Sequence, residues 1–201
     1  MRSDSIADGW IGAAGTAIVT PLLNTLLDAL INRRAQDYGL IMHRTDDFLL
    51  VWKLESESTL KVFAALSDDK LSQSVVSGGY SLQSLAWHIV GSIAMIPAHA
   101  GLLPMPAKEP TPAAVAAIID AYKRNAKQLT DAVQEKWTDA QLDEKIPIFG
   151  RTLRRGAVLS IVISHMCHHR AQMTVLMKQA GLKVPGVYGP SEDDMKAAAS
   201  K

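Results

Sequence analysis

The stretch His165-Met166-Cys167-His168-His169-Arg170-Ala171-Gln172 decides the fold reading of this chain. It lies in a helical pattern in which Val158, Ile161, Val162, His165, His169, Gln172 and Leu176 fall on one face. His165 and His169 are four residues apart, so their imidazoles project from the same side, one turn apart. Two neutral imidazoles so placed can grip one divalent cation. The competing reading is structural, because a lone histidine on an apolar face is usually a core residue satisfied by a hydrogen bond. A pair at this spacing weakens that reading. A third histidine on another helix tips the balance toward metal, and the chain offers His88.

Cys167 lies about 160–200° around the helix from the pair, at about 100° per residue, and so points away from their shared face. It is read as packing rather than as a ligand or nucleophile. It is the single cysteine of the 201 residues, which rules out an intrachain disulfide and fits a reducing, cytoplasmic setting.

Outward from this helix, the composition is that of a folded domain: 48% hydrophobic and 20% charged residues. A formal net charge of +1 gives no global field toward nucleic acid or an anionic membrane. Residues 10–31 are mostly apolar and about long enough to span a bilayer, but they contain Pro21, Asn24 and Asp28. Leu22, Leu23, Leu26, Leu27, Leu30 and Ile31 make a helical stripe, so an appended amphipathic helix is favoured over a membrane span. Residues 1–42 are therefore set apart as an N-terminal extension, helical or preceding a natural start at Met42. Residues 43–192 form the main domain, and 193–201 a flexible tail.

Within that domain a first helix, capped by Asp46 or Asp47, carries Phe48, Trp52, Glu55, Thr59, Val62, Phe63 and Leu66 on one face. Ser81 caps a second helix with His88 at the edge of its core stripe, and Pro97 is expected to disturb its end near Ile96. His99 is then a loop histidine. Thr111-Pro112 reads as the start of a third helix running to about Lys136. Thr138–Leu142 is a short helical turn, and Lys145–Arg151 is extended. Thr152 is the expected cap of the fourth helix, with Gly181 just past its end. The class is all-α: an antiparallel four-helix bundle, with an extra N-terminal helical segment and room for one long crossover.

These residues resemble a known family. His165-Met166-Cys167-His168-His169-Arg170-Ala171-Gln172 is similar to the H-x3-H-R-G-Q signature of the DinB/YfiT-like proteins. Leu85-Ala86-Trp87-His88 resembles that family's second-helix histidine segment, and Val187-Tyr188-Gly189-Pro190-Ser191 a tail common among its members. The likeness runs from about Thr45 to Ser191, with Ala171 standing where the motif usually has glycine. It implies a four-helix bundle holding a divalent metal on His88, His165 and His169. The place just before Arg-x-Gln selects His169 over its competitor His168.

Three neutral imidazoles leave such an ion with an open position, a catalytic rather than a closed arrangement. Zinc or nickel suits imidazole best, with iron or manganese also admissible. The resemblance brings in thiol-dependent S-transferases, isomerases and hydrolases. The implied function is activation of a thiol or water for transfer to a small electrophile, with a low-molecular-weight thiol as an accessory. His168, Arg170, Glu55 and Trp52 are candidates to support the ligands or the substrate, and Arg154 and Arg155 are weaker ones. The expected partners are a small-molecule substrate and, as an option, a second copy in a homodimer, with neither nucleic acid nor membrane. The alternative is a non-catalytic, metal-stabilised bundle used in binding or stress response.

Overall fold

The structure is a computed structural model, and it describes residues 41–200. The expectations for a helix, a span or an alternative start within residues 1–40 lie outside the described residues. Helix α1 (Thr45–Ala64) follows Arg44 with no side-chain cap of its own. Asp46 and Asp47, expected as caps, sit in its first turn, where negative charge favours the helix N-terminus. The Asp139 carboxylate caps it instead, accepting from the Thr45 amide at 2.8 Å. A 3-10 turn at Asp68–Lys70 follows.

Helix α2 (Leu82–His99) has the expected Ser81 cap, reinforced by Ser84 in a reciprocal capping box. Contrary to expectation, Pro97 lies inside the last turn and does not end the helix. Ile96, Pro97 and Ala98 are all buried there, so packing offsets the one backbone hydrogen bond that proline removes. His99 is therefore the last helical residue rather than a loop residue, with its ring 5.0 Å from Phe149.

Helix α3 (Val115–Lys136) starts three residues later than Thr111-Pro112 implied. Its cap is again remote: the Asp68 carboxylate accepts from the Val115 amide at 2.7 Å. A single-turn helix α4 (Asp139–Leu142) leads into a hairpin of β1 (Lys145–Ile148) and β2 (Arg151–Arg154). The strands pair antiparallel, with Ile146 opposite Leu153. Phe149 and Gly150, at φ 53 and 71, form the two-residue turn, a place where the mirror-image turns need positive φ.

The hairpin is an addition to the all-α reading, and it moves the start of the last long helix. Thr152 pairs in β2 instead of capping, and α5 (Arg155–Gln179) begins only after Arg154. Gly156 in its first turn allows close approach by the chain before α1, because a Cβ there would collide with the Met42 carbonyl oxygen. Gly181, at φ 74, takes the left-handed position past the C-terminus. The tail, read from sequence as a loop with a fraying end, carries helix α6 (Glu192–Ala199), capped by Ser191.

The four long helices pack in a ring, α1 against α3 and α5, and α2 against the same two. Trp52 bonds to Thr130 and Tyr122 to Ser56, so α1 and α3 run in opposite directions. Asn125 donates to the Val90 carbonyl, while Gln83 and Lys136 reach Pro112 and Leu102, so α2 and α3 run the same way. The residue 100–114 connection is thus the long crossover that the sequence left room for. Phe48, Phe63, Leu82, Ile89, Ile93, Ile118, Leu129, Leu159, Met166 and Met173 fill the centre. Tyr122 is buried among them, and that burial pushes its hydroxyl up to about 12. Among the described residues no helix is long and apolar enough to cross a membrane.

Candidate metal centre

His88 on α2 and His165 and His169 on α5 meet where the two helices pack. The Nε2 of His165 lies 3.3 Å from the Nε2 of His88 and 3.3 Å from that of His169. One nitrogen from each of the three falls within 4.8 Å of the others. For nitrogens about 2.0–2.1 Å from a shared ion at tetrahedral angles, the nitrogen–nitrogen edge is about 3.3–3.4 Å. Two of the three edges already have that length.

The protonation pattern suits the same role. Burial, and then the neighbouring His169, hold His88 below the ordinary histidine range. Burial, then His169, His88 and His168, push His165 down to about 4. Both rings are therefore neutral near pH 7 and have a lone pair to offer. The Gln172 side-chain oxygen lies 2.8 Å from His169 Nδ1 and can only accept, so Nδ1 donates to it and Nε2 is the atom turned toward His165. His165 Nδ1 is buried without a hydrogen-bond partner. Helix α5 places these groups by phase: His165, His169 and Gln172 share the stripe that faces α2. These residues fit a divalent ion.

The other sequence candidates fall elsewhere. His168 is exposed, with its ring 4.9 Å from that of His169, and it is not among the three that converge. Trp52 is a core residue, stacked on Phe48 at 6.0 Å with its indole donating to Thr130. Arg154 pairs with Asp143 at 3.0 Å, and Arg155 pairs with Glu144 at 2.8 Å beside the Trp137 ring. Trp87 and His88 line a cleft of about 620 Å³ between α2, α3 and the crossover.

Arg170 and Glu55 meet on the opposite side of α5. The Arg170 Nη2 lies 2.6 Å from Glu55 Oε2, with the two side chains only 3% and 13% exposed. Arg170 also donates to Thr59 and to the Glu55 backbone carbonyl. Burial opposes its charge, but Glu55, Cys167 and Tyr188 together outweigh that and raise its pKa.

Tyr188, which sequence reasoning quoted only as part of a tail, completes this cluster. The residue is 75% exposed, yet its hydroxyl accepts from Arg170 at 2.6 Å and donates to Glu55 at 3.0 Å. Cys167 points away from the histidines, as its phase required. Its surroundings are polar: Sγ donates to Glu55 at 3.3 Å and lies 3.2 Å from the Tyr188 hydroxyl. Burial holds its thiol above the usual range.

Comparisons with known proteins agree with this fold. A sequence model of the DinB family matches residues 42–200. An uncharacterized protein of Bacillus subtilis strain 168, YrdA, is 38% identical over 151 residues, spanning 74% of this chain and 90% of its own. The crystal structure of a DinB-like protein from Bacillus cereus ATCC 10987 superposes with a TM-score of 0.68 at 41% identity, covering 71% of this chain and 97% of that one. The DinB-like protein YjoA of Bacillus subtilis, at 20% identity and a TM-score of 0.56 over 69% of this chain and 96% of that one, shares the fold.

Proposed function

Since this chain belongs to the DinB family, we propose that it is a divalent-metal-dependent enzyme in which His88, His165 and His169 hold the ion. The observation that carries the proposal is the convergence of three imidazole nitrogens, two pairs of them 3.3 Å apart. Zinc or nickel suits this donor set best, with iron or manganese as further candidates. When bound, the ion supplies charge that lowers the pKa of a water or a thiol at its open position toward neutrality.

The protein's own groups account for the rest. Burial keeps His88 and His165 unprotonated, so they do not compete with the ion for protons at neutral pH. Gln172 holds the orientation of His169. His88 and Trp87 face the cleft, which gives a small electrophile a route to His88. The reaction class favoured is transfer of a low-molecular-weight thiol, or of water, to that electrophile. The single cysteine suits a reducing cytoplasm, where such thiols are held reduced.

The test is elemental analysis of protein purified without added metal, followed by a screen of small electrophiles with several thiols. About one equivalent of metal, and turnover that a chelator abolishes, is the expected result. Protein that neither carries nor takes up a divalent ion would end the metal reading. One equivalent of metal with no turnover across the screen would favour the non-catalytic bundle.

A further inference from the structure

The cleft that reaches His88 is not electrically neutral. Its floor is formed by α2 and α3, where Ala121, Asn125 and Gly91 lie, and its outer wall by the crossover. Three charged side chains line it: Arg124 from α3, and Lys108 and Glu109 from the crossover. Among the described residues Arg124, Lys108 and Glu109 form no ion pair with one another or with any neighbour. Among the described arginines Arg124 shares this with Arg151, whereas Arg44, Arg154, Arg155 and Arg170 each have a carboxylate within 4 Å. Asn125, one residue along, is committed to the Val90 carbonyl at 2.9 Å, and that bond ties α3 to α2 at the cleft floor.

We propose that this cleft binds a small carboxylate ligand, with the Arg124 guanidinium pairing with its carboxylate while its reactive end lies toward His88. The proposal rests on the metal reading for the identity of that reactive end, and on the cleft alone for the carboxylate. A guanidinium presents parallel donors that match a planar carboxylate, which a lysine cannot do. Two cations and one carboxylate leave a net single positive charge, which matches a monoanion. The Glu109 carboxylate opposes a doubly charged group such as phosphate. Ala121, Trp87 and Met95 supply the apolar contact that a small carbon skeleton needs.

The test compares two thiols of equal length, 3-mercaptopropionate and 3-mercaptopropan-1-ol, on the full chain. Binding is followed by amide chemical shifts at Gly91 and Ala107, first on metal-free protein and then on zinc-loaded protein. The acid should bind about fivefold more tightly than the alcohol, the scale of a solvent-accessible ion pair. That preference should shrink as salt is raised, because the charge is open to solvent. It should vanish in Arg124→Gln and persist in Lys108→Gln. Arg124 is exposed, so the variant should unfold at the wild-type temperature.

A preference that survives Arg124→Gln, or that is absent in the wild type, would overturn the proposal. Inorganic phosphate displacing the acid at equal concentration would overturn the match to a monoanion. Zinc loading should tighten both thiols together. If it does not, the metal reading fails, while the acid-over-alcohol ratio in metal-free protein still decides on Arg124.

Discussion

Helix α5 builds two polar sites from one eight-residue stretch, and they follow opposite rules. On the side facing α2, His165 and His169 meet His88 with ring nitrogens turned toward a common point. On the side facing α1, Arg170 and Cys167 meet Glu55, Thr59 and Tyr188, and each of these residues has a polar partner in the cluster. The second site is closed: a buried guanidinium is matched by a largely buried carboxylate and capped by a tyrosine hydroxyl. The first converges instead on a single point: its Nε2 atoms face one another, and only His169 Nδ1 has a side-chain partner outside the set, the Gln172 oxygen. A polar cluster that satisfies itself contributes to the fold, whereas one that converges without a charge at its centre is suited to receive one.

The sharpest way to break this contrast is to open the closed site. Arg170→Ala leaves the Glu55 carboxylate largely buried and unpaired, which should cost about 3 kcal/mol or more of stability. Chemical denaturation would measure it. Replacing the pair together, Arg170→Met with Glu55→Leu, should recover most of the loss, because no uncompensated charge then remains. Folded Arg170→Ala protein should still take up metal. If it folds as stably as the wild type but loses metal, Arg170 belongs to the converging site and the division of the helix fails.

Next comes the converging site. His169→Ala removes a converging nitrogen, and should weaken metal binding by more than the roughly 10–100-fold that loss of an outer partner costs. His168→Ala should change metal content little, since that ring is exposed beside His169 and outside the converging set. Metal stoichiometry, and unfolding temperature with and without a chelator, separate the two variants. Equal metal loss would make His168 a ligand and displace the i,i+4 assignment.

The two sites also differ in how far the sequence reveals them. The histidines were legible because two of them sit one turn apart on an apolar stripe, a periodic signal that needs no knowledge of the fold. The Arg170 cluster joins residues up to 133 positions apart, and no local pattern pairs Glu55 with Tyr188. The helix stripes were legible for the same reason as the histidines. Two helix starts were not, because the caps of α1 and α3 are aspartates from other segments, Asp139 and Asp68. Thr152 misled in the other direction, being a good capping residue used in a strand.

Tyr188→Phe tests how much the tail adds to the closed site. The tail is set in place by Asp193 and Asp194, which accept from the Val184 and Gly186 amides and hold the turn that presents Tyr188. Removing the hydroxyl leaves Arg170 still paired with Glu55. The cost should be about 0.5–1 kcal/mol, at the low end for a hydrogen bond because the residue is largely exposed. A loss as large as that of Arg170→Ala would mean that the tyrosine, and not the carboxylate, holds the guanidinium.

The smallest expected effect is at Cys167, and it bears most directly on the comparison. This residue lies between His165 and His169 in sequence but belongs by phase to the other side of the helix. Its thiol donates to Glu55 and lies beside the Tyr188 hydroxyl, and it takes no part in the histidine group. In Cys167→Ser the hydroxyl is shorter than the thiol, but it is a stronger donor toward the same carboxylate. The two changes oppose each other, so stability should move by no more than about 0.5 kcal/mol. Metal stoichiometry should be that of the wild type, because none of the converging nitrogens is touched. Cys167→Val is the harsher probe: it keeps a side chain of similar size but gives Glu55 one donor fewer, so it should cost more than serine while still sparing the metal. If either variant loses metal while keeping its fold, the two sides of α5 are coupled through the residue between them, and they could no longer be treated as separate sites.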